Sequence, residues 1–386
     1  MRRTKIWVSA ILFALAAGLG QASYLESDYA GEAPPPRTVL PPAPPPRRII
    51  PPPVSDNPLA DMIRNLTVQQ GYHYRGLTVF PVVSSRVTQP QVYLSVEEAL
   101  ARGDLIVEEK GRGAVPVLIV ENTGHRPVLM LGGELLLGGR QNRVLREDVL
   151  LPAGSGPVEV PVLCIEQGRW SGRVTRFESR KSLAPFAVRG AAQAGRSQSE
   201  IWEGVSGYQQ RFDVDSETQD LQAIQDSPEI SEALGEYRED FARHCWRSEQ
   251  VGMVVARWGR IVGADVFCNA AMFRKHRDRL LESYALDCIA YEAPDMRHKV
   301  AVMPGRDEAE RFLRRALRAG YSWRNSPGLG RLLSLSGAGL SGSALVHRDD
   351  VLHGCLLAEA EFIVPIARPM PEPRLRLEQT QPESAE

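Results

Sequence analysis

The sequence predicts an α+β protein: an N-terminal antiparallel β-sandwich, then a helical connection, then a C-terminal α+β half. Three observations support this class. Short apolar or alternating runs separated by Gly, Pro and Asn fill residues 77–164, a pattern typical of strands joined by turns. A highly charged stretch with helix-capping signals follows. After residue 250, paired strand patterns alternate with helical periodicity.

Composition limits the classes of protein that the chain can belong to. The 386 residues are 43% hydrophobic and 24% charged, which is enough apolar material for a sizeable core. Lys and Arg number 46 against 47 Asp and Glu, a balance that disfavours nucleic-acid binders and polybasic membrane proteins. Five scattered cysteines without a C-x-x-C pair predict neither a disulfide scaffold nor a zinc site.

Both ends of the chain lie outside the predicted folded body. Arg2, Arg3 and Lys5 precede an apolar run and small residues, so we predict a signal peptide at 1–22 and a secreted or periplasmic location. The alternative is an uncleaved N-terminal anchor, which would be the membrane attachment. Proline dominates the next segment, so 23–57 is predicted to be a Pro-rich disordered linker. Low hydrophobicity predicts a disordered tail at 367–386.

The β-sandwich part is predicted over residues 58–168. Ser95 and Glu98 form a capping box, which predicts a helix at 95–101 among the strands. Because each strand must bury a face against another layer, we expect two packed antiparallel sheets. The predicted strands are 77–83, 104–110, 115–122, 127–131, 134–138, 143–152 and 158–164.

The helical connection is predicted over residues 169–249, where a basic stretch is followed by an acidic one. Either the two stretches neutralise each other, or the basic one lines an anion site that the acidic helices flank. Helices are expected at 197–212, where Ser197 and Glu200 form a second capping box, and at 230–245.

The C-terminal α+β part is predicted over residues 250–366. It begins with a hairpin at 251–267 that turns near Trp258 and Gly259. Apolar residues at helical spacing predict two helices after the hairpin, and Gly320 is expected to end the second one. The elements are a helix at 270–291, a strand at 298–303, a helix at 307–319 and strands at 330–336, 342–348 and 351–360.

The segment GGELLLGGRQNR at 132–143 is the first candidate site. Its glycines allow tight turns or the close approach of a ligand around Glu134. Gln141, Asn142 and Arg143 offer convergent hydrogen-bond donors for a polar ligand. The alternative is a plain β-hairpin that these residues decorate.

The segment CIEQGRW at 164–170 is the second candidate site. Arg169 beside Trp170 can hold an anion or a nucleobase, and Glu166 can act as a general acid or base. The alternative is that Glu166 and Arg169 form an ion pair while Trp170 closes the end of the sandwich.

Other reactive residues fit structural roles better. Cys164 lies on an apolar alternating strand, where cysteines are usually inert packing residues. His347, His353 and Cys355 lack a further ligand in the sequence, so no metal site is predicted. The glycines at 337–342 link two predicted strands and are no dinucleotide fingerprint. No cofactor follows from the sequence.

The motif order resembles a known family. The run from RPVLMLGGELLLGGRQNR to CIEQGRW, with GADVFCNAAMF, LLESYALD and GSALVH further on, is similar to the ARG and Rhodanese-Phosphatase-superfamily-associated Protein domain. The resemblance covers about residues 76–362 and implies, by association, a link to ADP-ribosylglycohydrolase partners and to NAD or ADP-ribose metabolism. It implies no catalytic assignment. The matching positions are Gly133, Glu134, Gln141, Asn142, Arg143, Cys164, Glu166, Gly168, Arg169 and Trp170.

Three functional hypotheses follow. The first is a non-enzymatic module that binds a small ligand or an envelope protein through Gln141, Asn142, Arg143, Arg169 and Trp170. The second is a hydrolase of an ADP-ribosyl or phosphorylated substrate with Glu134 or Glu166 as general acid or base. The third is a structural envelope protein in which both motifs stabilise turns.

Overall fold

The computed structural model describes residues 56–86, 92–111, 116–169, 176–290 and 303–359. These residues form eight helices and seventeen strands, which confirms the α+β class. They belong to one compact unit, Pro53–Glu386. None of the helices in these ranges has both the length and the apolar character needed to span a bilayer.

The bounds of the elements are as follows. The helices are α1 (Pro58–Arg64), α2 (Val96–Arg102), α3 (Phe186–Gln193), α4 (Gln198–Phe212), α5 (Gln222–Asp226), α6 (Pro228–His244), α7 (Ala270–Ala290) and α8 (Arg306–Arg315). The first strands are β1 (Leu66–Val68), β2 (Tyr72–Tyr74), β3 (Leu77–Ser84), β4 (Leu105–Glu109), β5 (Val117–Asn122), β6 (Val128–Met130), β7 (Leu135–Gly138), β8 (Arg143–Leu145) and β9 (Val149–Leu151). The remaining strands are β10 (Pro157–Cys164), β11 (Phe177–Glu178), β12 (Gln250–Arg257), β13 (Arg260–Phe267), β14 (Gly320–Asn325), β15 (Arg331–Gly337), β16 (Leu340–His347) and β17 (Asp350–Ala358).

A nine-stranded sheet organises the fold, in the order β1-β3-β12-β13-β17-β16-β15-β14, with β2 also paired to β3. On one face, Leu59 of α1 and Phe312 of α8 join a core with apolar residues of the sheet. On the opposite face, Phe186 of α3, Phe241 of α6 and Leu281 of α7 belong to a larger core. The sheet is therefore the middle layer between two groups of helices.

Two smaller sheets form the second part of the fold. A six-stranded sheet has the order β11-β7-β8-β10-β5-β4, and β6 pairs with β9 in a two-stranded sheet. Val120 and Val160 of the first sheet share a core with Met130 and Val149 of the second. The two antiparallel sheets thus pack on each other, as expected for the β-sandwich part.

The strand predicted at 77–83 lies elsewhere than expected. Instead of joining the sandwich, β3 pairs with β12 in the nine-stranded sheet, where Phe80 stands opposite Val254. Val79 points into one core and Phe80 into the other. A strand that buries both faces needs a layer on each side, which only the centre of the large sheet provides.

Local signals predicted most other elements. Both capping boxes are present, with Ser95 and Ser197 accepting hydrogen bonds from the backbone of Glu98 and Glu200. The hairpin turns at Trp258 and Gly259 as expected.

Two predicted elements differ from the structure. The strand at 143–152 divides into β8 and β9 because Asp148 turns inward, where it accepts a hydrogen bond from the backbone N of Gly132. The helix at 307–319 ends at Arg315, and Gly320 begins the edge strand β14, whose residues are exposed except for the half-buried Trp323. The strand at 298–303 falls mostly outside the described residues, as do the predicted signal peptide, most of the linker and the C-terminal tail.

Candidate functional site

The two predicted motifs meet where β10 ends beside the β7–β8 turn. Arg169 donates from Nε and Nη2 to the two carboxylate oxygens of Glu166, each at 2.8 Å. It also donates from Nη1 to the carbonyl oxygen of Gly139 at 2.9 Å. The backbone N of Asn142 donates to Oε2 of the same glutamate at 3.0 Å. Glu166 and Arg169 therefore form a two-point ion pair after β10, and the bonds to Asn142 and Gly139 join this pair to the turn.

The rest of the RQNR turn is held in the same way. Asn142 accepts from the backbone N of Gly138 and donates to Asp220, both at 2.8 Å. Arg143 is completely buried and donates from Nη1 to the backbone oxygen of Gln141 at 3.1 Å and to its side-chain Oε1 at 3.3 Å. These hydrogen bonds fix the turn, while Nε and Nη2 of Arg143 are buried without a hydrogen-bond partner in the described part of the chain.

Glu166 is ionised at neutral pH. Burial alone would raise the pKa of this carboxyl, but hydrogen bonds from Arg169 and from the backbone of Asn142 lower it below its ordinary value. The Arg169 side chain is 28% exposed, and its hydrogen bonds are to protein groups. Trp170 lies outside the described residues.

We call the hydrogen-bonded residues Gln141, Asn142, Arg143, Glu166 and Arg169 the motif clamp.

Glu134 occupies a different place. Its carboxylate is completely buried, accepts from the backbone N of Leu131 at 2.9 Å and pairs with Arg279 of α7. Arg279 also pairs with Glu97 of α2. Burial raises the pKa of Glu134 to about 7, Arg279 opposes that rise and Glu97 adds to it. The two candidate carboxylates, Glu134 and Glu166, therefore bind different arginines.

Beside Glu134, Arg279 and Glu97 lies a cleft of about 610 Å³. We call it the Glu134 cleft. Every acidic residue that lines it pairs with an arginine or lysine: Glu97 with Arg279, Glu98 with Lys275, Glu282 with Arg238 and Asp278 with Arg277. Arg180, on the same wall, pairs with Asp226. Lys181 is exposed, and within the described residues its ammonium has no ion-pair partner. The cleft therefore offers one uncommitted positive charge.

A second buried polar group lies between the large sheet and α3. Arg189 donates from Nη1 and Nη2 to the two oxygens of Asp265 at 2.8 and 2.9 Å. Tyr284 donates to the same carboxylate at 2.7 Å. His353 contacts Asp265 through Nε2 at 3.1 Å and Asp148 through Nδ1 at 2.8 Å. We call these five side chains the buried relay.

The buried relay is electrically balanced. Burial disfavours the charged form of His353, but the two carboxylates outweigh it and raise the pKa to about 9. Burial would raise the pKa of Asp265, yet Arg189 and His353 hold it well below its usual range. Two cations thus face two anions, and each occupied ring nitrogen of His353 is unavailable to a metal.

Two further observations concern the reactivity of Cys164 and metal binding. Burial raises the pKa of the Cys164 thiol to about 11, which leaves it protonated and a poor nucleophile. Across the described part of the chain, no group of three or more His, Cys, Asp or Glu side chains could hold a metal ion.

Sequence reasoning missed the buried relay, although the sequence carried a signal for it. Asp265 stands in the apolar strand GADVF, and Arg189 in the apolar helix AVRGAA. A charge in the middle of an apolar run is rarely tolerated without a buried partner. Gly133 of the first motif, at φ 96°, is part of this packing, because a Cβ there would lie 2.3 Å from Cγ of Arg189.

The fold and site define an α+β protein in which the β-sandwich part and the large, helix-covered sheet meet at buried ion pairs. A family model described as the ARG and Rhodanese-Phosphatase-superfamily-associated Protein domain matches residues 65–357. The chain therefore belongs to this family, as its motifs predicted. No curated protein and no solved structure matches the chain.

Proposed function

We propose that this chain is a binding module for a small anionic ligand, with its site in the Glu134 cleft. The observation that carries the proposal is the charge pattern of this cleft, where all lining acids are in ion pairs and Lys181 is left over. An unpaired cation in a concave site attracts an anion, and about 610 Å³ suits a small molecule.

The proposed site is thus the Glu134 cleft and not the motif clamp, where the sequence predicted it. The donors of Gln141, Asn142 and Arg169 serve protein acceptors, so a ligand there would have to break existing bonds. Nε and Nη2 of Arg143 have no hydrogen-bond partner among the described residues, but this side chain is completely buried. Glu134 of the first motif stays part of the proposal, because it lies behind Arg279 at the cleft.

A thermal-shift titration of the folded chain with ADP-ribose, NAD and inorganic phosphate tests this function. A bound ligand raises the melting temperature by mass action. We expect Lys181→Ala to abolish the shift, while Lys110→Ala, which removes an exposed lysine paired with Glu159, keeps it. A shift that is the same in both variants would exclude the cleft as the site.

A hydrolase is the second candidate function, favoured by the pKa of about 7 for Glu134. A carboxyl that titrates near neutral pH suits general acid–base catalysis. Because Glu134 is completely buried and paired with Arg279, this function requires Arg279 to move aside when substrate binds. The family name links such domains with the ARG and rhodanese-phosphatase superfamilies, which agrees with a phosphorylated or ADP-ribosyl substrate. The test is whether the protein hydrolyses an ADP-ribosylated peptide and frees ADP-ribose. If Glu134→Gln loses this activity but still binds the peptide, the result favours the enzyme over the binding module.

We propose that the protein acts outside the cytoplasm, secreted or in the periplasm. The support is the sequence of residues 1–22, with its basic start and apolar run. Cell fractionation, with mass spectrometry of the N-terminus, tests both export and cleavage. A cytoplasmic protein that retains Met1 would contradict the proposal.

A further inference from the structure

The inner face of the nine-stranded sheet changes character beyond α3. Leu332 and Leu345 on this face belong to the core that α3 covers. Further along the same strands, Ser334 stands opposite Ser343, and Ser336 opposite Ser341. Alternate residues of a strand share a face, and so do paired residues. Four hydroxyl groups therefore lie on one side of the β15–β16 hairpin.

These serines line a cleft of about 530 Å³, which we call the serine cleft. The C-terminal end of α3, from Ala192 to Gly195, forms one wall, and the β8–β9 turn with Arg146 and Glu147 forms another. Most lining residues on the hairpin and at the end of α3 are serine, alanine or glycine, and their small side chains leave the space open. Its size falls in the range of small-molecule sites.

The charges of the serine cleft leave one arginine available. Arg324 donates from Nη1 to Glu147 at 2.8 Å and lies 3.5 Å from the hydroxyl of Ser334. Arg146 also lines the cleft, and its guanidinium has no ion pair or hydrogen bond to any residue that the structure describes. A guanidinium presents a planar fork of donors that matches the oxygens of a phosphate.

Gln193 supplies unused hydrogen-bonding groups at the same place. Both polar atoms of its side chain are buried, and neither has a hydrogen-bond partner within the described ranges. Buried amide groups in folded proteins nearly always have partners. Gln193 lines the cleft, so its amide becomes available to a hydroxyl-bearing ligand when the side chain turns out of this buried position.

The geometry points to a second binding site, in the serine cleft, for a small phosphate ester that also carries hydroxyl groups. Arg146 binds the phosphate. The serine hydroxyls and the Gln193 amide, each able to donate and accept, bind the hydroxyl groups of the ligand. This site is independent of the Glu134 cleft, with which it shares no lining residue.

Calorimetric titration of the full chain with ribose 5-phosphate, inorganic phosphate and ribose tests the site. We expect ribose 5-phosphate to bind more tightly than either of its parts. Arg146→Ala should weaken both phosphate-bearing probes by about tenfold or more, because it removes a charge-assisted contact. The double variant Ser334→Ala with Ser343→Ala should weaken ribose 5-phosphate and leave inorganic phosphate unchanged.

Two control variants separate binding in the serine cleft from binding elsewhere on the protein. Arg311→Ala removes an exposed arginine on α8, which covers the opposite face of the sheet, and should keep full affinity. Lys181→Ala should also keep full affinity, so that failure of the Glu134 cleft and failure of the serine cleft are distinguishable. Absence of ribose 5-phosphate binding, or equal affinity in folded Arg146→Ala, would overturn the proposal.

Discussion

Arg189 and Asp265 form a two-point ion pair in which both side chains are completely buried, although they are 76 positions apart in the sequence. One comes from α3 and the other from the centre of β13. His353 extends the pair to Asp148 in the β8–β9 turn. The buried relay thus ties the large sheet, its covering helix and the smaller sheets at one point.

Removing one member of this pair should destabilise the fold strongly. Asp265→Ala leaves the buried guanidinium of Arg189 without its counter-charge, and we expect a loss of about 3 to 5 kcal/mol. Chemical denaturation measures it. The matched control is Glu239→Ala, which breaks an ion pair with Arg243 whose side chains are mostly exposed, and we expect little measurable change. Similar losses in both variants would contradict the role of the buried pair.

His353 should make stability fall in alkaline solution. Its pKa rises from 6.5 to about 9 on folding, because Asp148 and Asp265 outweigh the effect of burial. The folded state therefore holds the proton more tightly, and the resulting stability is complete below pH 6.5 and disappears as the pH rises through 9. The change is on the order of 3 kcal/mol. Denaturation midpoints from pH 6 to 10 should show this slope, and His353→Gln should flatten it.

Glu134 should also make the folding stability depend on pH, but in a lower pH range than His353. Burial raises its pKa from 4.5 to about 7, Arg279 opposes this and Glu97 adds to it, so the folded state favours the protonated carboxyl. Its contribution is complete below pH 4.5 and lost as the pH rises through 7. Glu134→Gln mimics the protonated form and should remove this slope while leaving the alkaline one. If Glu134→Gln alters the alkaline slope instead, the two groups are coupled.

The motif clamp predicts a structural effect for Arg169. Arg169→Ala leaves Glu166 buried without its two-point partner, and we expect a loss of about 2 kcal/mol in unfolding free energy. Arg169→Lys should recover little of it, because an ammonium cannot reproduce the planar fork. Full recovery by lysine would show that charge alone matters there. Loss of ligand binding with unchanged stability would instead restore Arg169 as a ligand-binding residue.

The sequence by itself determined the class of the fold, the local elements and the family. Capping boxes at Ser95 and Ser197, and the hairpin at Trp258, depend on neighbours within a few positions, so a local pattern is enough to predict them. The motifs around Glu134 and Arg169 identified the family for the same reason.

Only the tertiary structure decided which side chains meet. It moved β3 into the large sheet, separated Glu134 from Glu166 and joined Arg189 to Asp265. Pairings of this kind depend on how distant segments pack, and a local pattern of residue types does not predict that packing. The apolar runs around Asp265 and Arg189 signalled that buried charges needed partners, and only packing determined which partners they found.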